Sequence, residues 1–156
     1  LLHLEGRNSE ALDIARPARA TMAETLGEYH LFTLVTDSLI GATLTSAGRP
    51  DEGEQILQRS LASMREFLGP THPQTLQAQV HLARTLRALG QTEEAATLLR
   101  EAELRLREGL GADHPQTSEA EEELRSLESS TREEPAPQPQ PEPTAPPLPD
   151  TGPSPL

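Results

Sequence analysis

The sequence predicts an all-α repeat array: antiparallel helix pairs stacked in a row, closed by a capping helix and followed by a proline-rich tail. Three observations carry that expectation. The first is a period of 42 residues: Leu68-Gly69 recurs as Leu110-Gly111 and stands earlier as Leu26-Gly27, while His72-Pro73-Gln74-Thr75 recurs as His114-Pro115-Gln116-Thr117. His30 and Thr33 are the faded first copy, and Gly6, Gly48 and Gly90 keep the same interval. A fixed period of this size means one supersecondary unit stacked on itself, that is, a solenoid. The second is apolar residues three or four apart within each copy, as one face of a helix requires. The third is composition. Tyr29, Phe32 and Phe67 are the only aromatics, and β-branched residues are few, so the core must be Leu and Ala between closely packed helices rather than strands.

The elements follow in order. Residues 1–5 read as the end of a first helix closed by Gly6, and 9–25 as its partner, turning Ala11, Ile14, Ala15 and Met22 inward with Pro17 kinking it. Residues 26–69 form a complete copy. Its first helix, about 30–47, carries Leu34, Ile40, Gly41, Leu44 and Ala47; its second, about 50–67, starts at Pro50 and carries Ile56, Leu57, Leu61 and Met64. Residues 70–111 repeat the plan. Pro73 opens a helix, where its missing N–H costs nothing, with Thr71 (Asp113 in the next copy) as the expected cap. Leu76, Val80, Leu82, Ala83, Leu86 and Leu89 line that helix, and Gly90 ends it. A second helix spans about 92–109, with Ala95, Leu98, Leu99, Ala102 and Leu106 inward. Its acids come first and its arginines last, as the helix dipole favours.

After Thr117 the pattern narrows to Ala120, Leu124 and Leu127 among Glu119, Glu121, Glu122, Glu123 and Glu128, and position 132 is Arg where the period asks for Gly. Residues 114–128 therefore read as a terminal cap, one face docked and the other solvated. The repeat array occupies 1–128, with 1–25 a partial copy. Residues 129–156 are rich in Pro, Glu, Gln and Thr and cannot bury a core, so a disordered tail is expected there. Its alternating prolines from Pro135 to Pro143 favour an extended polyproline II rod. Leu148-Pro149-Asp150-Thr151-Gly152 matches a sortase signal, but without the apolar and basic residues that should follow.

Charge and cysteine content narrow the function classes. The net charge is −12, a balance that repels nucleic acid and anionic membranes. There is no Cys, so disulfides and Cys-based zinc sites are excluded. No apolar run reaches membrane-spanning length. The chain holds no G-x-S-x-G, phosphate-binding loop or His-Glu-x-x-His pattern. No catalysis by this segment and no cofactor or metal are expected. His72 and His114 recur with the repeat, so their reason is structural.

The small residues refine the kind of solenoid. Ala83, Ala95 and Ala102, with Gly41, Gly53 and Ser60 at equivalent crossings one copy earlier, permit close helix approach. Together with Leu82, Leu86, Gly90 and Leu99 and the LG-x-x-HP-x-T junction, the pattern resembles the tetratricopeptide repeat in its 42-residue, kinesin-light-chain-like variant found in bacterial regulatory proteins. HEAT and armadillo arrays lack this spacing. The resemblance covers about residues 1–127. It implies a right-handed α-solenoid whose first helices line a concave groove for a peptide or protein partner. Carried onto this chain, that groove displays Val35, Ser38, Ala42 and Thr45, then Gln77, Val80, His81, Arg84 and Arg87. Arg84 and Arg87 share a face and are expected either to pair an acidic ligand or to be tied to Glu119 and Glu122 on the cap helix. The expected function is an interaction scaffold, cytoplasmic, with self-association open. The alternative is the C-terminal sensing arm of a larger bacterial serine/threonine kinase or NB-ARC-type ATPase.

Overall fold

A computed structural model describes residues 2–132 as six helices: α1 (Leu2–Leu26), α2 (Leu31–Ser46), α3 (Pro50–Phe67), α4 (Pro73–Ala88), α5 (Thr92–Leu110) and α6 (Pro115–Arg132). Each packs antiparallel on the next, because the turns between them are only three to five residues long. The odd and even helices form two layers. Along the even layer α2 touches α4 and α4 touches α6, whereas α1, α3 and α5 make no such approach to one another. The tighter layer is the inner side of the array, and it carries the site.

The repeated words of the sequence are the machinery of the turns. At each long junction a glycine takes a left-handed backbone, as at Gly69 with φ +96°, a conformation that costs any other residue. The next three residues lead to a histidine whose Nδ1 accepts a hydrogen bond from the backbone N–H two residues on. His30 does this for Phe32, His72 for Gln74 and His114 for Gln116, at 3.2–3.3 Å. The expected caps Thr71 and Asp113 are not used; the imidazole fills one of the unpaired donors that open each helix. The threonine three positions later is fully buried. Thr33 and Thr117 return a hydrogen bond to the carbonyls of Gly27 and Gly111, and Thr75 to that of Met64.

Close crossings are where the small residues fall. A Cβ on Gly41 would lie 2.6 Å from Leu57 Cγ, and one on Gly53 would lie 2.7 Å from the Gly41 carbonyl oxygen. Ser60 donates from its hydroxyl to the Leu34 carbonyl at 2.9 Å, and Ala83, Ala95 and Ala102 are buried. A continuous Leu-rich core, including Leu57, Met64, Leu76, Leu86, Leu99, Leu106 and Leu127, runs from α2 to α6. A second, smaller cluster of Leu12, Ile40 and Leu44 holds α1.

Three expectations change. Residues 1–25 are not the end of one helix and its partner: α1 runs unbroken through Gly6 and Pro17. One interior glycine costs about 1 kcal/mol, too little to break a helix where the neighbouring residues supply no turn. The inward face of α1 also differs, because α1 packs against α2 alone among the described helices. Leu12 is buried, Ala15 and Met22 are half-buried, and Ile14 is 73% exposed. At the other end, α6 continues past 128 to Arg132, and Ser129 and Ser130 donate back to the Arg125 and Ser126 carbonyls. Residues 133–156, with the polyproline pattern and the 148–152 motif, lie outside the described residues.

Candidate partner-binding groove

All nine residues expected in the groove sit on α2 and α4, and six of them, Ser38, Thr45, Gln77, His81, Arg84 and Arg87, make a row of polar contacts that tie α2, α4 and α6 together. Ser38, buried on α2, meets His81 Nδ1 on α4 at 3.1 Å. Gln77 Nε2 lies 3.4 Å from His81 Nε2 and donates to Glu119 on α6 at 3.1 Å. Thr45 Oγ1 meets Thr85 Oγ1 at 2.7 Å. Arg84 pairs with Glu119 and Glu123, each at 2.8 Å, and Arg87 pairs with Glu123 at 3.3 Å and donates to Ser126. The partners on the cap helix are thus Glu119 and Glu123; Glu122 is exposed and points elsewhere. Val80, expected in the groove, is fully buried in the core instead.

These contacts decide the chemistry of the row. Burial pushes the His81 imidazole below its ordinary value; Arg84 pushes in the same direction and Glu119 opposes. A neutral ring then satisfies both neighbours: Nδ1–H donates to Ser38 and Nε2 accepts from Gln77. Gln77 Oε1 is buried without a partner. Among the described residues no three His, Asp or Glu side chains converge as a metal site would require, and no helix is long and apolar enough to cross a membrane.

What the row leaves open is apolar. Phe32 and Leu39 are 59% and 51% exposed and lie seven residues apart, two helical turns, so they share one face of α2. Ser38 and Thr45 direct α2 toward α4, Asp37 is bonded to Arg19 of α1, and Phe32 and Leu39 fall between, on the open inner side. Sequence reasoning passed over this pair, although its seven-residue spacing was visible. The period places His81 and Glu123 at the equivalents of Leu39, so the inner face grades from apolar on α2 through His81 to carboxylate on α6.

A second feature lies on the outer side, between α1 and α3. It is a cleft of about 620 Å³ with Leu34, Ile40 and Ile56 in its wall. Arg19 there donates to Asp37 at 2.9 and 3.0 Å and to Glu28 at 2.5 Å, and these hydrogen bonds, Asp37 first, raise its already high pKa. Tyr29 lines the cleft and stacks on Phe67, ring centroids 4.3 Å apart.

Residues 32–103 match the tetratricopeptide repeat family. The fold also aligns with the nearly identical TPR-like repeats of a Podosopora anserina protein assigned as a kinesin light chain, and with a single-substitution form of that protein. Each has a TM-score of 0.72 and 26% identity, over 81% of this chain and 60% of the other. This chain therefore spans about 60% of the length of those solved arrays. No curated protein sequence matches it. Residues 32–103 thus carry the tetratricopeptide-repeat pattern, and the fold is similar to kinesin-light-chain-like repeats.

Proposed function

We propose that the inner face of α2, α4 and α6 is a docking surface for a peptide segment of a partner protein, and that the segment performs no chemistry of its own. Tetratricopeptide repeats are in general interaction scaffolds, which sets the class. The observation that supports this reading here is the exposed pair Phe32 and Leu39 on the inner side of α2. Burying one such side chain in a complex is worth about 1.5–3 kcal/mol, enough to anchor one apolar residue of a ligand. The row from Ser38 and Thr45 through Gln77 and His81 to Arg84 and Arg87 supplies polar contacts beside it.

Arg84 and Arg87 offer exchangeable positions for an acidic group. Their pairs with Glu119 and Glu123 are about one-third exposed on the arginine side, and pairs of this kind contribute about 0–1 kcal/mol. A ligand carboxylate replaces one of them at little cost. The test is affinity capture of partners by the intact chain, by Phe32→Ser/Leu39→Glu and by Arg84→Glu/Arg87→Glu. Loss of the same partner in both variants, with helix content unchanged, is expected. A partner set that neither variant alters removes the inner face from the binding surface.

A further inference from the structure

The outer cleft between α1 and α3 has features that the fold does not use. Its two flanking helices each turn an arginine toward it, Arg16 from α1 and Arg59 from α3. Among the described residues neither makes a direct ion pair, although Arg16 lies near enough to Glu52 to help lower its pKa; Arg59 donates to the Gln55 carbonyl of its own helix. One end of the cleft is closed by the Tyr29–Phe67 stack, 58% and 49% exposed. Tyr29, Phe67 and the inner-face Phe32 are the chain's only aromatics, so two of the three stand together at this rim. An exposed aromatic pair beside unpaired guanidiniums fits an acidic, proline-rich strand. Proline rings pack on aromatic faces with little entropy lost, and carboxylates accept guanidinium hydrogen bonds.

The chain carries such a strand. Residues 141–150 read Pro-Glu-Pro-Thr-Ala-Pro-Pro-Leu-Pro-Asp, and residues 133–156 hold four acids and no basic residue. The reach is adequate. From the end of α6 to the rim is two helix spacings sideways, each about 8–10 Å, and about 27 Å back along a helix of this length, roughly 35 Å in all. At about 3.1 Å per residue in an extended polyproline II strand, the eleven residues 133–143 cover that distance, so Glu142 comes to the rim and the residues up to Asp150 to the cleft.

We propose that residues 141–150 of the same chain dock in the α1–α3 cleft, with prolines on Tyr29 and Phe67 and with Glu142 and Asp150 at Arg16 and Arg59. This occupies the outer side of the array, on the opposite face from the inner groove. The chain has no native Cys and one Tyr, which makes the test direct. A nitroxide on Ala145→Cys in the full-length chain should broaden the Tyr29 and Phe67 ring resonances beyond detection, at all protein concentrations. Reversing the tail charges, Glu142→Arg with Asp150→Arg, touches no helix and should restore both signals; Arg16→Glu with Arg59→Glu should do the same. Sharp Tyr29 signals in the labelled chain overturn the proposal. So does broadening that persists when the tail charges are reversed. Broadening that fades on dilution places the strand on a second copy and overturns docking within one chain.

Discussion

Gly53→Ala probes the crossing on which the α2–α3 pair depends, and two effects of opposite sign compete there. In an open helix position alanine is worth about 1 kcal/mol over glycine. At Gly53 the added Cβ would lie 2.6 Å from Thr45 Oγ1 and 2.7 Å from the Gly41 carbonyl oxygen. The carbonyl belongs to the α2 backbone, and the Thr45 hydroxyl is held at 2.7 Å by Thr85, so neither yields freely. Overpacking of this kind costs about 1–3 kcal/mol, and disrupting the Thr45–Thr85 contact about 1 more. After the helix gain is subtracted, the net loss is about 1–3 kcal/mol. At roughly 4 °C per kcal/mol for a domain of this size, Tm falls by about 4–12 °C. Gly109→Ala is the control: Gly109 is helical, with nothing within 4 Å of its would-be Cβ, and stability should rise by about 0.5–1 kcal/mol. Thermal melts followed by far-UV circular dichroism measure both. If Gly53→Ala is as stable as the parent, or if the two substitutions move Tm in the same direction, the close-crossing argument is wrong.

Two further expectations follow from the histidines. His72→Ala removes the acceptor of the Gln74 N–H and should cost about 0.5–2 kcal/mol in urea unfolding, while His72→Asn, another capping residue, should cost markedly less; equal losses would show that the imidazole is not acting as a cap. His81 is neutral in the fold because burial, aided by Arg84, lowers its pKa from 6.5. The unfolded chain therefore takes up the proton first as pH falls, so the stability associated with His81 is complete above about pH 6.5 and is lost below it. The stability difference between the parent and His81→Gln, measured from pH 7.5 to 5, should shrink as pH falls, and a constant difference would contradict this assignment.

The helices and their crossings were legible because the cues are local. Leu-Gly and His-Pro mark the turns, period-3.6 leucines mark the faces, and Gly41, Gly53 and Ser60 mark the close approaches. The continuity of α1 was not legible, since a glycine that ends a helix and one carried inside it look alike until the following residues decline to turn. The histidine caps were hidden behind Thr71 and Asp113, stronger formers of the same bond by composition. Legibility failed most at the groove. The repeat relates Leu39, His81 and Glu123 as equivalents, yet the bonds that form join Ser38 to His81, Thr45 to Thr85 and Arg84 to Glu123. Those pairs are 43, 40 and 39 residues apart. The offset depends on how neighbouring helices are inclined, and a 42-residue phase does not encode inclination.

The two layers of the array have unequal stiffness. The inner helices are bonded directly to their inner neighbours, from Ser38 to His81 and from Arg84 to Glu123, while the outer helices meet only through the layer beneath. A change of curvature is then taken up at the outer seams, with the bonded inner seam acting as the pivot, and the α1–α3 cleft widens or narrows as the array bends. An occupant wedged in that cleft resists bending, and a ligand that bends the inner face alters the room left for the occupant. With the cleft occupied as proposed, any factor by which one face changes the other's affinity is returned in full, because linkage is reciprocal.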